Sequence, residues 1–153
     1  MVRFFFLIVL LAVLVAVGCK KDEYPGQVSF TLDGSAVEYA NKGEKYAYFA
    51  AESSGKISIF ADDGKLDGSR LVIELPEYIG VNTYKGKEKV SVSYWKNVSN
   101  YYELYKIYRD SFTVAVDEVQ DEYITGRFSG IIYYKKQQAV ISNGAFVVYR
   151  NTY

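Results

Sequence analysis

Apolar and polar side chains alternate with a period of two over most of this chain, and no long segment carries the 3.6-residue spacing of a helix. Val28, Phe30 and Leu32 alternate with Ser29 and Thr31, and Ile57 and Ile59 with Lys56 and Ser58. Leu71, Ile73 and Leu75 alternate with Arg70 and Glu74, and Val90, Val92 and Tyr94 with Lys89, Ser91 and Ser93. Phe112, Val114 and Val116 oppose Ser111, Thr113 and Asp117. Successive side chains of an extended chain point to opposite faces, so each run predicts a strand with one face on a core. The abundance of Tyr, Phe, Val and Ile suits such a pleated, half-buried surface.

Turn dipeptides fall between the runs: Asp33-Gly34, Asp63-Gly64, Asp67-Gly68, Lys85-Gly86 and Asn143-Gly144. Asn143-Gly144 lies between two apolar stretches, 139–142 and 145–149, and a two-residue turn with positive φ at both positions favours that dipeptide. A closing hairpin is therefore predicted there. Gly126 and Gly130 interrupt the run 124–134, where a glycine marks a bulge or sharp bend. About eight to ten short strands at this spacing predict an all-β fold, a single antiparallel β-sandwich of immunoglobulin-like or related kind. A flattened β-barrel with an internal cavity is the alternative.

The first residues follow a different rule. Arg3 precedes an unbroken apolar run over 4–17, too short for the roughly 20 residues that cross a bilayer. The run has the length of a secretory signal's apolar region, and Gly18 presents little bulk to a peptidase before Cys19, the chain's only cysteine. A thiol there can be alkylated by a diacylglyceryl group, and the amine freed by cleavage can be acylated. The predicted organisation is a lipoprotein signal over 1–18, an acylated cysteine and short tether over 19–27, and a β domain over 28–153. Two or three acyl chains on one cysteine give stable attachment where a single chain gives only marginal binding.

Behind the cysteine, Lys21-Asp22-Glu23 resembles the surface-export signal of Bacteroidota lipoproteins, a lysine followed by two acidic residues. This resemblance implies an outer-membrane lipoprotein, anchored by lipid and facing the cell exterior. A second resemblance rests on Thr125-Gly126-Arg127-Phe128-Ser129 and Ile141-Ser142-Asn143-Gly144-Ala145-Phe146, with Phe30-Thr31-Leu32-Asp33-Gly34 near the start. Together they look like a family of small Bacteroidota surface lipoproteins with a β-rich domain of unknown function. Its motifs are turn and core residues, so it implies a fold and a place in the cell and no active site.

With the signal and its Arg3 removed, 17 of the 18 basic side chains face 18 acidic ones, interspersed along the chain. A nucleic-acid partner would call for a basic excess on one face, so none is expected. The chain has no histidine, which removes the usual general base and the commonest metal ligand. Its one thiol is assigned to lipid. Carboxylate chemistry of the glycosidase kind remains as a lesser alternative, with Glu74, Glu77, Glu103, Asp110, Asp117 and Glu118 available, most of them at positions expected for solvated faces or turns. The acidic stretch 62–68 could offer oxygens to calcium, yet its spacing departs from the EF-hand loop and Lys65 sits inside it, so it reads as a tight loop between strands. No metal, cofactor or catalytic residue is expected.

Recognition is placed on the aromatic stretch 94–108. If Tyr94 shares the core face with Val90 and Val92, Trp95 falls on the other. Tyr101, Glu103 and Tyr105 share one face of the next strand, so Trp95, Tyr101 and Tyr105 are expected to form a flat platform for a sugar ring or a partner's apolar surface. The expected protein is a non-catalytic, lipid-anchored envelope protein that binds glycan or protein partners, or alternatively a structural envelope lipoprotein.

Overall fold

The structure, a computed structural model, describes residues 26–41, 46–51, 55–65, 68–76, 78–98 and 101–151. The proposed signal and anchor residues Gly18, Cys19, Lys21, Asp22 and Glu23 lie outside the described residues. The ten strands are β1 (Gln27–Leu32), β2 (Ser35–Ala40), β3 (Tyr46–Ala51), β4 (Lys56–Asp62), β5 (Arg70–Pro76), β6 (Asn82–Lys85), β7 (Ser91–Val98), β8 (Tyr101–Val119), β9 (Tyr123–Tyr134) and β10 (Gln137–Arg150). No described segment is helical. The all-β, antiparallel expectation holds: every pairing is antiparallel except the short contact of β10 with β3, where Tyr149 meets Tyr48.

The strands follow the order β2-β1-β10-β3-β4-β5-β7-β8-β6, and β9 pairs with both β8 and β10. The pairing path from β3 through β4, β5, β7, β8, β9 and β10 therefore returns to β3, with β1, β2 and β6 outside that circuit. The period-two residues define the inside. Val28, Phe30, Ile59, Leu71, Ile73, Leu75, Val90, Val92, Tyr94, Phe112, Val114 and Val116 all belong to one buried cluster. Phe128 lies at its centre, with its ring 5.8 Å from Phe30, 6.1 Å from Phe112 and 6.3 Å from Phe146. Among the described residues no buried side-chain nitrogen or oxygen lacks a hydrogen-bond partner.

Two long strands bend to share this core. β8 runs for 19 residues, pairing with β7 through its first half and with β6 through its second. Its register against β9 shifts between Ile107 and Phe112, at a point where Arg109 adopts φ 55. Bulges of this kind let one strand turn a corner between packed faces.

Asn143-Gly144 makes a bulge and not the predicted hairpin. β10 passes straight through it, with Ile141 opposite Gly130 and Gly144 opposite Phe128, so Ser142 and Asn143 together stand against Ser129. Asn143 takes φ 53, a conformation its short polar side chain tolerates, and a Cβ on Gly144 would come within 2.4 Å of the Phe128 carbonyl oxygen. The same backbone preference that suits a tight turn suits a bulge. The true β9–β10 turn is Lys135-Lys136, where Lys135 holds φ 54 without a glycine or asparagine to announce it. Asp33-Gly34 does make the expected two-residue turn, with φ 47 and 85, and the Val140 amide donates to Asp33 Oδ1 at 2.7 Å.

Candidate functional site

Cross-strand register sets a polar and aromatic row on the outer face. Tyr46 stands opposite Asp62, Asp62 opposite Arg70, Arg70 opposite Trp95, and Trp95 opposite Leu104. Directly opposed residues share a face, so these side chains project together, away from the core. Tyr102, two residues before Leu104 on β8, projects with them.

The β4–β5 loop closes over one end of this row. The Gly64 amide donates to Asp62 Oδ1 at 2.7 Å, and Asp63 accepts from the amides of Lys65 at 3.1 Å and Ser69 at 2.9 Å. A Cβ on Gly68 would lie 1.5 Å from Asp63 Oδ1, so any other residue there would have to displace the carboxylate from its loop amides. Ser69 Oγ meets the Tyr39 hydroxyl at 2.8 Å, which ties the loop to the buried cluster. Burial pushes the Tyr39 hydroxyl far above the usual phenol range.

These elements enclose a cleft of about 280 Å³ lined by Asp62, Lys65, Gly68, Ser69, Arg70, Trp95 and Tyr102. Arg70 Nε donates to Asp62 Oδ2 at 2.5 Å, and the two side chains differ in exposure, 53% against 7%. Burial raises the Asp62 carboxyl, but the Gly64 amide, the Arg70 guanidinium and the Tyr46 hydroxyl outweigh it and hold the group below the usual carboxylate range. Asp62 is therefore ionised at neutral pH and anchors a guanidinium at the cleft wall. The arrangement offers two aromatic surfaces, two cations and a fixed carboxylate. Asp62 and Asp63 spend their oxygens on the loop and Arg70, and no group of three or more His, Cys, Asp or Glu side chains able to hold a metal occurs among the described residues.

The structure separates the expected platform. Trp95 is half-buried on the outer face, while Tyr101, Glu103 and Tyr105 share the other face with Tyr94. Tyr94 pairs directly with Tyr105, and the parity of two antiparallel strands then fixes Trp95 on the opposite side. Tyr105 is buried, its ring 6.2 Å from Tyr94 and its hydroxyl donating to Glu103 Oε2 at 2.9 Å. Burial and the neighbouring Glu103 carboxylate push that hydroxyl up to about 12. Glu103 is buried too, against the expectation of a solvated face. Tyr101 is exposed at 54% and borders a second, wider groove of about 570 Å³ with Glu103, Tyr134, Lys135, Lys136 and Gln137.

The tryptophan was legible in the sequence and its companions were not. Asp62 and Arg70 flank a Gly-rich loop, and a hairpin closed across that loop pairs them, which is the signal that could have located the cleft. Compared with known protein families, curated proteins and solved structures, the chain matches none.

Proposed function

We propose that this protein is a lipid-anchored component of the cell envelope, exposed at the surface, that binds saccharide without catalysis through the Trp95 cleft. The observation that carries the binding reading is the set of groups enclosing one cleft: Trp95 and Tyr102 as aromatic walls, Arg70 held by Asp62, and Lys65. A sugar ring presents an apolar C–H face that packs on an indole and hydroxyls that take charge-assisted hydrogen bonds, and this cleft supplies both kinds of surface. Anchoring is supported by the apolar run before Cys19, and the outward orientation by Lys21-Asp22-Glu23.

The non-catalytic reading draws on the carboxylates already engaged. Asp62 pairs with Arg70, Asp117 with Arg127 and Glu74 with Lys56, while Glu118 and Glu103 each accept from a tyrosine hydroxyl. A glycosidase needs two carboxyl groups turned together on a substrate bond.

Trp95 is the chain's only tryptophan, so its emission reports the cleft alone. Titration with panels of neutral and acidic glycans is expected to shift that emission saturably with one class, and Arg70→Ala is expected to weaken the response at least tenfold. Unchanged emission with every glycan, or full binding by isothermal titration calorimetry retained in both Arg70→Ala and Trp95→Ala, would remove the cleft from the account.

A further inference from the structure

A second cluster of aromatic side chains lies on the outer face where the chain enters the domain. Tyr46 and Tyr48 project outward from β3, and Phe60 projects outward from β4 directly opposite Tyr48. The Tyr48 and Phe60 rings stack with centroids 5.1 Å apart, and Tyr46 lies 5.6 Å from Tyr48. Tyr149 of β10 is the register partner of Tyr48 on its other side. This cluster has no part in the buried core, and Tyr46 joins it to the cleft as the cross-strand partner of Asp62.

The point of chain entry decides what the cluster can meet. A Cβ on Gly26 would lie 2.0 Å from the carbonyl oxygen of Ala47, the residue between Tyr46 and Tyr48. The next residue, Gln27, is paired with Val147, two residues before Tyr149. The chain therefore enters the domain beside this aromatic surface. Only six residues separate Gly26 from Cys19, and the seven steps between them reach at most about 25 Å when fully extended. An acyl group on Cys19 would hold Gly26 within that distance of the lipid with the cluster beside it, and tyrosine rings, apolar in body and polar at the tip, concentrate at the membrane–water boundary.

We infer that the surface formed by Tyr46, Tyr48, Phe60 and Tyr149 rests on the bilayer interface and sets the orientation of the anchored domain. The inference depends on the proposed acylation of Cys19. Because the mature chain has no other cysteine, a single introduced cysteine can carry a spin label in the acylated full-length protein, reconstituted into phosphatidylethanolamine/phosphatidylglycerol vesicles. Labels go on Tyr46→Cys, in the cluster, and on Tyr108→Cys and Tyr78→Cys, which replace exposed tyrosines outside it.

Flotation and collision accessibility are then read on the same samples. The expected result is that all three proteins float with the vesicles, and that the Tyr46→Cys label favours oxygen over a water-soluble nickel complex at least threefold more than the other two. If the proteins float but all three labels are equally open to nickel, the orientation is overturned while the anchor stands. If they do not float, acylation fails and the inference fails with it. Tyr48→Ser combined with Phe60→Ser, labelled at position 46, is expected to return that label to the nickel-accessible range. No change in that variant would contradict the role of the cluster.

Discussion

Asp62 carries an uneven load for one side chain, because it fixes the loop through the Gly64 amide and the cleft wall through Arg70. Its carboxyl is held below the ordinary range, so the stability it contributes is present above about pH 4 and is lost as pH falls through its folded value. The stability difference between wild type and Asp62→Asn, measured by urea unfolding, should be full at pH 7 and shrink towards pH 2. Arg70→Ala leaves that buried carboxylate without its cation, and since the arginine is half-exposed the expected cost is about 1–2 kcal/mol, between the values for surface and buried pairs. Tyr105 behaves in the opposite sense. Its folded value of about 12 exceeds the ordinary 10, so it favours the native state below pH 10 and loses that contribution as pH rises towards 12. Alkaline unfolding between pH 10 and 12 should accordingly be shallower in Tyr105→Phe than in wild type.

Among the elements, the strands were legible and their joints only in part: Asp33-Gly34 turns the chain as expected, and other joints do not follow their dipeptides. Leu71, Ile73 and Leu75 point inward as the alternation requires, and so do Phe112, Val114 and Val116, because one-sided burial is written directly into a period of two. The Asn143-Gly144 dipeptide gave the right backbone conformation and the wrong element, since positive φ serves a turn and a bulge alike and only the partner strands decide between them. Lys135-Lys136 turns the chain with no local signal. The platform failed for a related reason: parity along each strand was right, but which face of β8 joined Trp95 depends on register across the β7–β8 pair. The bulge can be tested by itself. Asn143→Val places a β-branched residue at φ 53 and is expected to cost roughly 1–2 kcal/mol in thermal or urea unfolding, whereas Asn143→Gly should be close to neutral. On β9, Gly126 brings its backbone against Ala115 and the Phe146 ring, where a Cβ would approach to 2.4 Å, so Gly126→Ala should destabilise by about 1–3 kcal/mol through overpacking.

At the scale of the molecule, a pairing path that returns on itself leaves few open edges and builds one core, which is how a β domain of this size can fold without a disulfide. β1 begins beside β3, with Gly26 against the Ala47 carbonyl, so the proposed acylation of Cys19 would place the attachment on this side of the domain. The proposed saccharide cleft, the proposed membrane-facing aromatic surface and the proposed export all depend on the proposed acylation of Cys19. Its most direct test is the intact mass of the mature protein extracted from membranes. The account requires a chain beginning at Cys19 and heavier than its 135 residues by a diacylglyceryl group and one further acyl chain, with Cys19→Ser losing the added mass and leaving the membrane fraction. A mature chain that begins elsewhere, or carries an unmodified Cys19 and partitions into the aqueous phase, would contradict it.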